Sequence, residues 1–262
     1  VGDDGIVVTG TTGETSTLTD PEKIKLVEVA KSVSGGRAKV ITGGGSNETA
    51  HAIELYQASE RAGADGVMIV TPYYNKPTQA GLTAHFEAVA GASDLPVMLY
   101  DVPGRTGRKI ATDTILGLAR DVETIVALKD AAGDPAETGR LIAEAPEGFE
   151  VYSGDEPLTL GFLAYGAVGV VGVSSHWTAA LQADMFFAFE SGDVSGARAI
   201  NARLLPSFAY MNSDTCVFSQ AVKVMMSVLG VPIGECRLPL GPAPDGTADV
   251  ARRVARDLRL LP

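Results

Sequence analysis

Short apolar runs rich in Val and Ile recur along the chain, each followed by a break and then by a longer stretch with helical spacing. Residues 5–9, 39–42, 66–70, 97–100, 125–129, 150–153 and 169–173 read as strands. Helices read from Asp20 as N-cap, with Pro21 at the first helical position, to about Ser34, and from an Asn47 cap to about Ala62. Others run from about Gln79 to Ala90 and onward from a Thr112 cap, and one places Leu158, Phe162 and Tyr165 on one face. A helix over 178–191 closes the last repeat. Strands alternating with helices throughout predict a parallel α/β fold. Seven strands are counted, and a closed barrel takes eight.

Beyond residue 193 the strands stop. Helical stretches at about 196–211, 220–229 and 248–260 are separated by Ser213-Asp214-Thr215 and by the proline-rich segment 238–244. The chain therefore divides into a barrel domain over 1–192, holding the active site, and a C-terminal helical domain over 193–262.

The length of 262 residues suits one such barrel with an appendage. A net charge of −11 argues against nucleic acid and anionic membranes as partners, since both want a basic surface. Anionic substrates would need local positive partners, which singles out Arg105. Cys216 and Cys236 lack CxxC spacing, and His51, His85 and His176 are isolated, so no metal site is spelled out. Without a signal peptide or an apolar run near 18 residues, the expected location is the cytoplasm.

Reactive side chains gather where strands end. Tyr100 and Lys129 each close an apolar run, and their separation of 29 positions is one strand–helix repeat. Alternation would place Ile125, Ala127 and Lys129 on one face. An ammonium there is desolvated, so its pKa should fall and free a neutral amine for Schiff-base chemistry on a carbonyl substrate. A lysine snorkelling out of a barrel rim fits the same position. The loop Gly10-Thr11-Thr12-Gly13-Glu14 offers backbone N–H groups and hydroxyls to a small carboxylate, or is simply a tight turn; it has neither Walker A nor GxGxxG character. Gly43-Gly44-Gly45 makes room for a substrate or for a neighbouring side chain. Tyr73-Tyr74 closes another strand, and Arg105 stands in a Gly/Pro loop suited to a bidentate grip on a carboxylate.

The segments GIVVTGTTGE, TPYYNKP, LYDVPGRTG, IVALKDAAG, SGDE and RLPLGP resemble, in order and along essentially the whole chain, the dihydrodipicolinate synthase family of pyruvate-dependent lyases and aldolases. The resemblance implies a TIM (β/α)8 barrel with a C-terminal helical domain, from which the first strand–helix unit, roughly 30 residues at one repeat's length, is missing here. It implies that Lys129 forms an imine with pyruvate and that Tyr100 shuttles protons. Thr12 would link Tyr100 to Tyr74, which in the family crosses a dimer interface. Thr11 and Thr12 would hold the pyruvate carboxylate, and Arg105 the carboxylate of aspartate semialdehyde. Gly154 and Val171 match backbone positions of the pocket. No cofactor is implied beyond the covalent imine, and the implied assembly is a homotetramer, a dimer of dimers. Related lyases for N-acetylneuraminate or sugar acids share the lysine and tyrosine but generally lack an arginine placed like Arg105. A non-catalytic barrel homologue is the third reading.

Lysine-inhibited members carry histidines and a glutamate in an allosteric pocket. At the matching positions this chain has Asp20, Lys23 and His51, although Asn47 and Tyr73 match. A positive charge at Lys23 in a site for a cationic amino acid implies weak or absent lysine feedback.

Overall fold

The computed structural model describes residues 3–213 and 215–261; the chain start at Val1 and Asp214 of the Ser213-Asp214-Thr215 break lie outside them. These residues form two compact units. One comprises 4–10 and 19–171, the other Asp3, Thr11–Leu18 and the chain from Gly172 onward.

The first unit is a single sheet of seven parallel strands in consecutive order: β1 (Gly5–Val8), β2 (Lys39–Gly43), β3 (Gly66–Val70), β4 (Val97–Asp101), β5 (Ile125–Asp130), β6 (Glu150–Ser153) and β7 (Gly169–Val170). Helices α1 (Asp20–Ser34), α2 (Thr49–Arg61), α3 (Gln79–Ala90), α5 (Thr112–Asp121), α6 (Pro135–Glu144) and α7 (Thr159–Tyr165) connect them, with a single turn α4 (Pro103–Thr106) between β4 and α5. All seven predicted strands are present, in the predicted order. β7 is only two residues long, although Val171 N–H still donates to Ser153 O at 2.9 Å. α6 is additional to the sequence reading; Pro135 at its start and Gly139 within it dilute the apolar period.

Each predicted cap is displaced by one residue. Thr19, not Asp20, caps α1, with Glu22 accepting its N–H at 2.8 Å and its hydroxyl at 3.0 Å. Glu48, not Asn47, caps α2 by accepting the Ala50 and His51 N–H groups. Ala111 precedes α5, with Thr112 already helical.

Strand alternation builds two apolar layers. Val67, Ile69, Val97, Leu99, Leu128 and Val151 pack with helical residues such as Tyr56, Leu82, Phe86 and Leu118. The opposite side holds Met68 and Tyr100, with Val7, Ile41, Val70 and Met98 packed against them. The predicted face Ile125–Ala127–Lys129 does not form. The register shifts between Val97/Met98, so Val97 pairs with Ile125 but Met98 pairs with Ala127, leaving Val126 as the extra residue. Ile125 consequently joins Leu128 in the helix-facing core, and Lys129 is delivered to the other side.

The second unit contains α8 (Ser175–Glu190), α9 (Val194–Met211), α10 (Phe218–Val228) and α11 (Thr247–Asp257). Its long continuous part runs from Gly172, and within it α8 packs on α9: Trp177 Nε1–H donates to Ser207 Oγ at 2.7 Å and its ring meets Tyr210 edge-on. Tyr210 donates to Ala221 O at 2.9 Å, tying α9 to α10. Within this unit Glu14, in a left-handed backbone conformation, accepts from Lys223 Nζ at 2.6 Å and from Arg237 N–H at 2.8 Å.

Candidate active site

The β4–β5 ladder pairs Tyr100 with Lys129 in register. Tyr100 is 6% exposed and Lys129 half-buried, with Nζ 4.4 Å from the centre of the Tyr100 ring. Burial drives the lysine down to about 8, Arg105 adds to that, and Glu156 opposes it. At pH 7 such a group is roughly one-tenth neutral amine, against about one part in three thousand for an ordinary lysine. Desolvation thus lowers the lysine, and a minor neutral fraction, the nucleophilic form, stands beside a phenol.

Gly154 explains how the lysine stem fits. A Cβ at this position would come within 2.9 Å of Lys129 Cγ and 3.0 Å of its Cε. Its N–H donates to Asp130 O at 2.7 Å, continuing the β5–β6 ladder. Val171 takes the matching place beyond β7. Two residues past Gly154, Glu156 is 4% exposed and provides the carboxylate field at Lys129.

Arg105 is exposed on the turn α4, whose Thr106 hydroxyl bonds to Arg108 O at 2.9 Å. Gly107 ends the turn at φ 73°, and a Cβ there would meet Lys76 Cε at 2.7 Å, so the Arg105 turn packs on the TPYYNKP loop. In that loop Tyr74 (φ 73°) and Lys76 (φ 47°) hold left-handed conformations that cost non-glycine residues energy. Tyr74 is 90% exposed, outside the buried cluster of Tyr100 and Lys129. Thr11 and Thr12 lie in the other compact unit, in the loop that leads to Glu14; Thr11 O accepts from Ser219 Oγ at 3.3 Å. The glycine triplet makes room for neighbouring strands: a Cβ on Gly43 would sit 2.4 Å from Thr9 O, and one on Gly45 2.7 Å from Val70 N.

The model of the Dihydrodipicolinate synthetase family matches residues 1–257. The chain belongs to this family. The 4-hydroxy-tetrahydrodipicolinate synthase of Acidothermus cellulolyticus is 45% identical over 98% of this chain and 81% of its own. The dihydrodipicolinate synthase of Cyanidioschyzon merolae, crystallised with lysine bound, superposes with a TM-score of 0.95 at 40% identity, covering 98% of this chain and 86% of that one. The chloride-inhibited enzyme of Acinetobacter baumannii in complex with pyruvate gives 0.92 at 34% identity, covering 98% and 88%. As a dihydrodipicolinate synthetase family member the chain is a lyase of TIM-barrel type, with C-terminal helices. Among the described residues no helix is long and apolar enough to cross a membrane, and no group of three or more His, Cys, Asp or Glu side chains could hold a metal ion.

Sequence reasoning passed over three acids around this family's lysine. Glu156 is the last residue of the quoted SGDE motif, and Asp101 and Asp130 each directly follow the reactive residue of their strand. The signal was available: two neighbouring strands both end in a reactive side chain followed by aspartate.

Proposed function

We propose that the chain is a 4-hydroxy-tetrahydrodipicolinate synthase that condenses pyruvate, held as an imine on Lys129, with L-aspartate 4-semialdehyde. The observation that carries this reading is the partly buried Lys129, lowered to about 8 and registered against Tyr100. The neutral amine attacks the ketone carbon of pyruvate, and water leaves as the imine forms. The imine withdraws electrons, so the methyl carbon loses a proton and attacks the aldehyde. The amine of the bound semialdehyde then displaces Lys129, closing the ring. Tyr100, whose ring centre lies 4.4 Å from Lys129 Nζ, moves protons in these steps. Arg105 grips the semialdehyde carboxylate. Gly154 and Val171 line the pocket through their backbone, and the roles of Thr11, Thr12 and Tyr74 are proposed on the family resemblance.

No dissociable cofactor enters this chemistry. We further propose a cytoplasmic homotetramer built as a dimer of dimers; the exposure of Tyr74 on its strained loop supports a partner chain there. An eighth strand–helix unit would lie between β1 and β7, the two sheet edges. Ile6 (43% exposed) and Val168 (50%) at these edges support that reading.

The test is intact mass after borohydride reduction with pyruvate. A pyruvate-sized adduct on the wild type and none on Lys129→Ala is expected; no adduct on a folded wild type sinks the lyase assignment.

A further inference from the structure

The turn α4 that carries Arg105 is held at its two ends. Upstream, Val102 joins it to β4; downstream, residues 107–111 run without regular structure to α5. Such a segment must find partners for its backbone groups outside itself. Its own sequence supplies few. Ala111 stands at the cap position of α5 and has no side-chain oxygen to offer the helix. Nor does packing brace the turn from within, since a Cβ on Gly104 would meet nothing within 4 Å.

One side chain makes up the deficit. Gln79, the half-buried first residue of α3, donates through Nε2 to Lys109 O at 3.0 Å. Its Oε1 accepts the Ala111 N–H at 2.9 Å and the Thr114 hydroxyl at 2.9 Å. An amide oxygen has two lone pairs, so this acceptor is saturated and the plane of the group is fixed. Thr78 caps α3, accepting the Gly81 N–H at 3.2 Å, which leaves Gln79 to reach across to α5. Two further bonds secure the same segment. Arg108 Nη2–H donates to Lys76 O at 3.1 Å, and the Ile110 N–H donates to Asp101 Oδ1 at 3.1 Å.

We propose that Gln79 is a positioning residue for the aldehyde substrate. It clamps residues 109–114 to the start of α3, and so sets where the Arg105 guanidinium meets that substrate's carboxylate. This rests on the reading of Arg105 as that grip. Lys129 and Tyr100 are fixed separately, by the β4–β5 ladder, so imine formation with pyruvate does not depend on the clamp.

Two substitutions test it. Gln79→Met keeps the length of the side chain and removes all three bonds. Gln79→Glu keeps the shape and both accepted bonds, and loses the donation to Lys109 O. The KM for aspartate semialdehyde should rise on the order of tenfold in Gln79→Met, and less in Gln79→Glu, with kcat little changed. The yield of borohydride-trapped pyruvate should match wild type in both. Added to Arg105→Ala, Gln79→Met should raise that KM no further, because no guanidinium is left to position. In the unmodified enzyme, which needs no variant to fold, the Ala111 amide should be protected from hydrogen exchange.

Exchange of that amide at the rate of an open loop overturns the clamp. A parallel loss of pyruvate trapping in Gln79→Met overturns the positioning role and makes Gln79 a residue of the fold at large. An unaltered KM in Gln79→Met, while Arg105→Ala raises it, overturns the proposal and leaves the Arg105 reading standing. An unaltered KM in Arg105→Ala overturns the Arg105 reading itself, which separates the two failures.

Discussion

Lys129 and Tyr100 stand opposite each other in the β4–β5 ladder, with the lysine nitrogen 4.4 Å from the centre of the phenol ring. Contact with the ring face favours the ammonium, whereas burial favours the amine, and burial prevails. The rate of imine formation with pyruvate should therefore climb with pH through about 8, where an unperturbed lysine would climb only near 10. Stopped-flow or trapping rates across that range would show it. A limb centred near 10 would mean that Lys129 is not desolvated in the working enzyme.

Gly154 leaves the lysine its path. Adding one methyl group puts a carbon 2.9 Å from Lys129 Cγ, close to the backbone end of the side chain, where it cannot swing aside freely. Gly154→Ala should cut kcat by on the order of ten- to a hundredfold, as misplacement of a reacting group by about an ångström does. Thermal unfolding should change little by comparison. Equal loss of folding and activity would instead make Gly154 a structural glycine of β6.

How far this site was readable in advance depended on geometry that sequence pattern carries only in part. Strand order and the pairing of Tyr100 with Lys129 follow from repeat length, because each strand–helix unit brings the next strand to the same level. The bulge at Val126 has no comparable signature. Val126 is an apolar residue inside an apolar run, and only the pairing of Met98 with Ala127 reveals that it is extra. Without that bulge, simple alternation wrongly groups Ile125 with Lys129. The caps slipped by one residue for a related reason: Thr19-Asp20-Pro21-Glu22 contains two plausible caps, and the reach of Glu22 back to Thr19 decides between them. Asp101 and Asp130 looked like ordinary strand-end acids, since burial on the helix-facing side is a tertiary fact.

Lysine should inhibit this enzyme poorly. Lys23 Nζ lies 3.0 Å from Asp20 Oδ1, and His51 Nε2 lies 2.8 Å from Asp20 Oδ2. Burial works against the charge on Asp20, but the bonds from His51 and Lys23 hold its carboxyl below the usual range. The acid is thus committed to an internal cation, and an incoming lysine would meet the Lys23 charge. Initial rates titrated with L-lysine should show no half-effect at sub-millimolar concentration; a half-effect there would refute the reading.

In the helical unit, Glu14 and Lys223 form an ion pair at 2.6 Å, with Glu14 8% exposed and also bonded by the Arg237 N–H. Burial raises the Glu14 carboxyl, yet Lys223 and the Arg237 amide together bring it below the ordinary glutamate value. Removing the cation with Lys223→Met strands a buried carboxylate and should cost about 3 kcal/mol at neutral pH. Replacing both residues, Glu14→Gln with Lys223→Met, should cost less than that single change, because no charge is left uncompensated. A carboxyl held low in the folded state stabilises above its unfolded value and loses that contribution as pH falls through the folded value. Denaturant unfolding should therefore separate wild type from Lys223→Met at neutral pH and bring them together under acid. A difference that persists unchanged in acid would assign the loss to packing of the Lys223 stem and not to the ion pair.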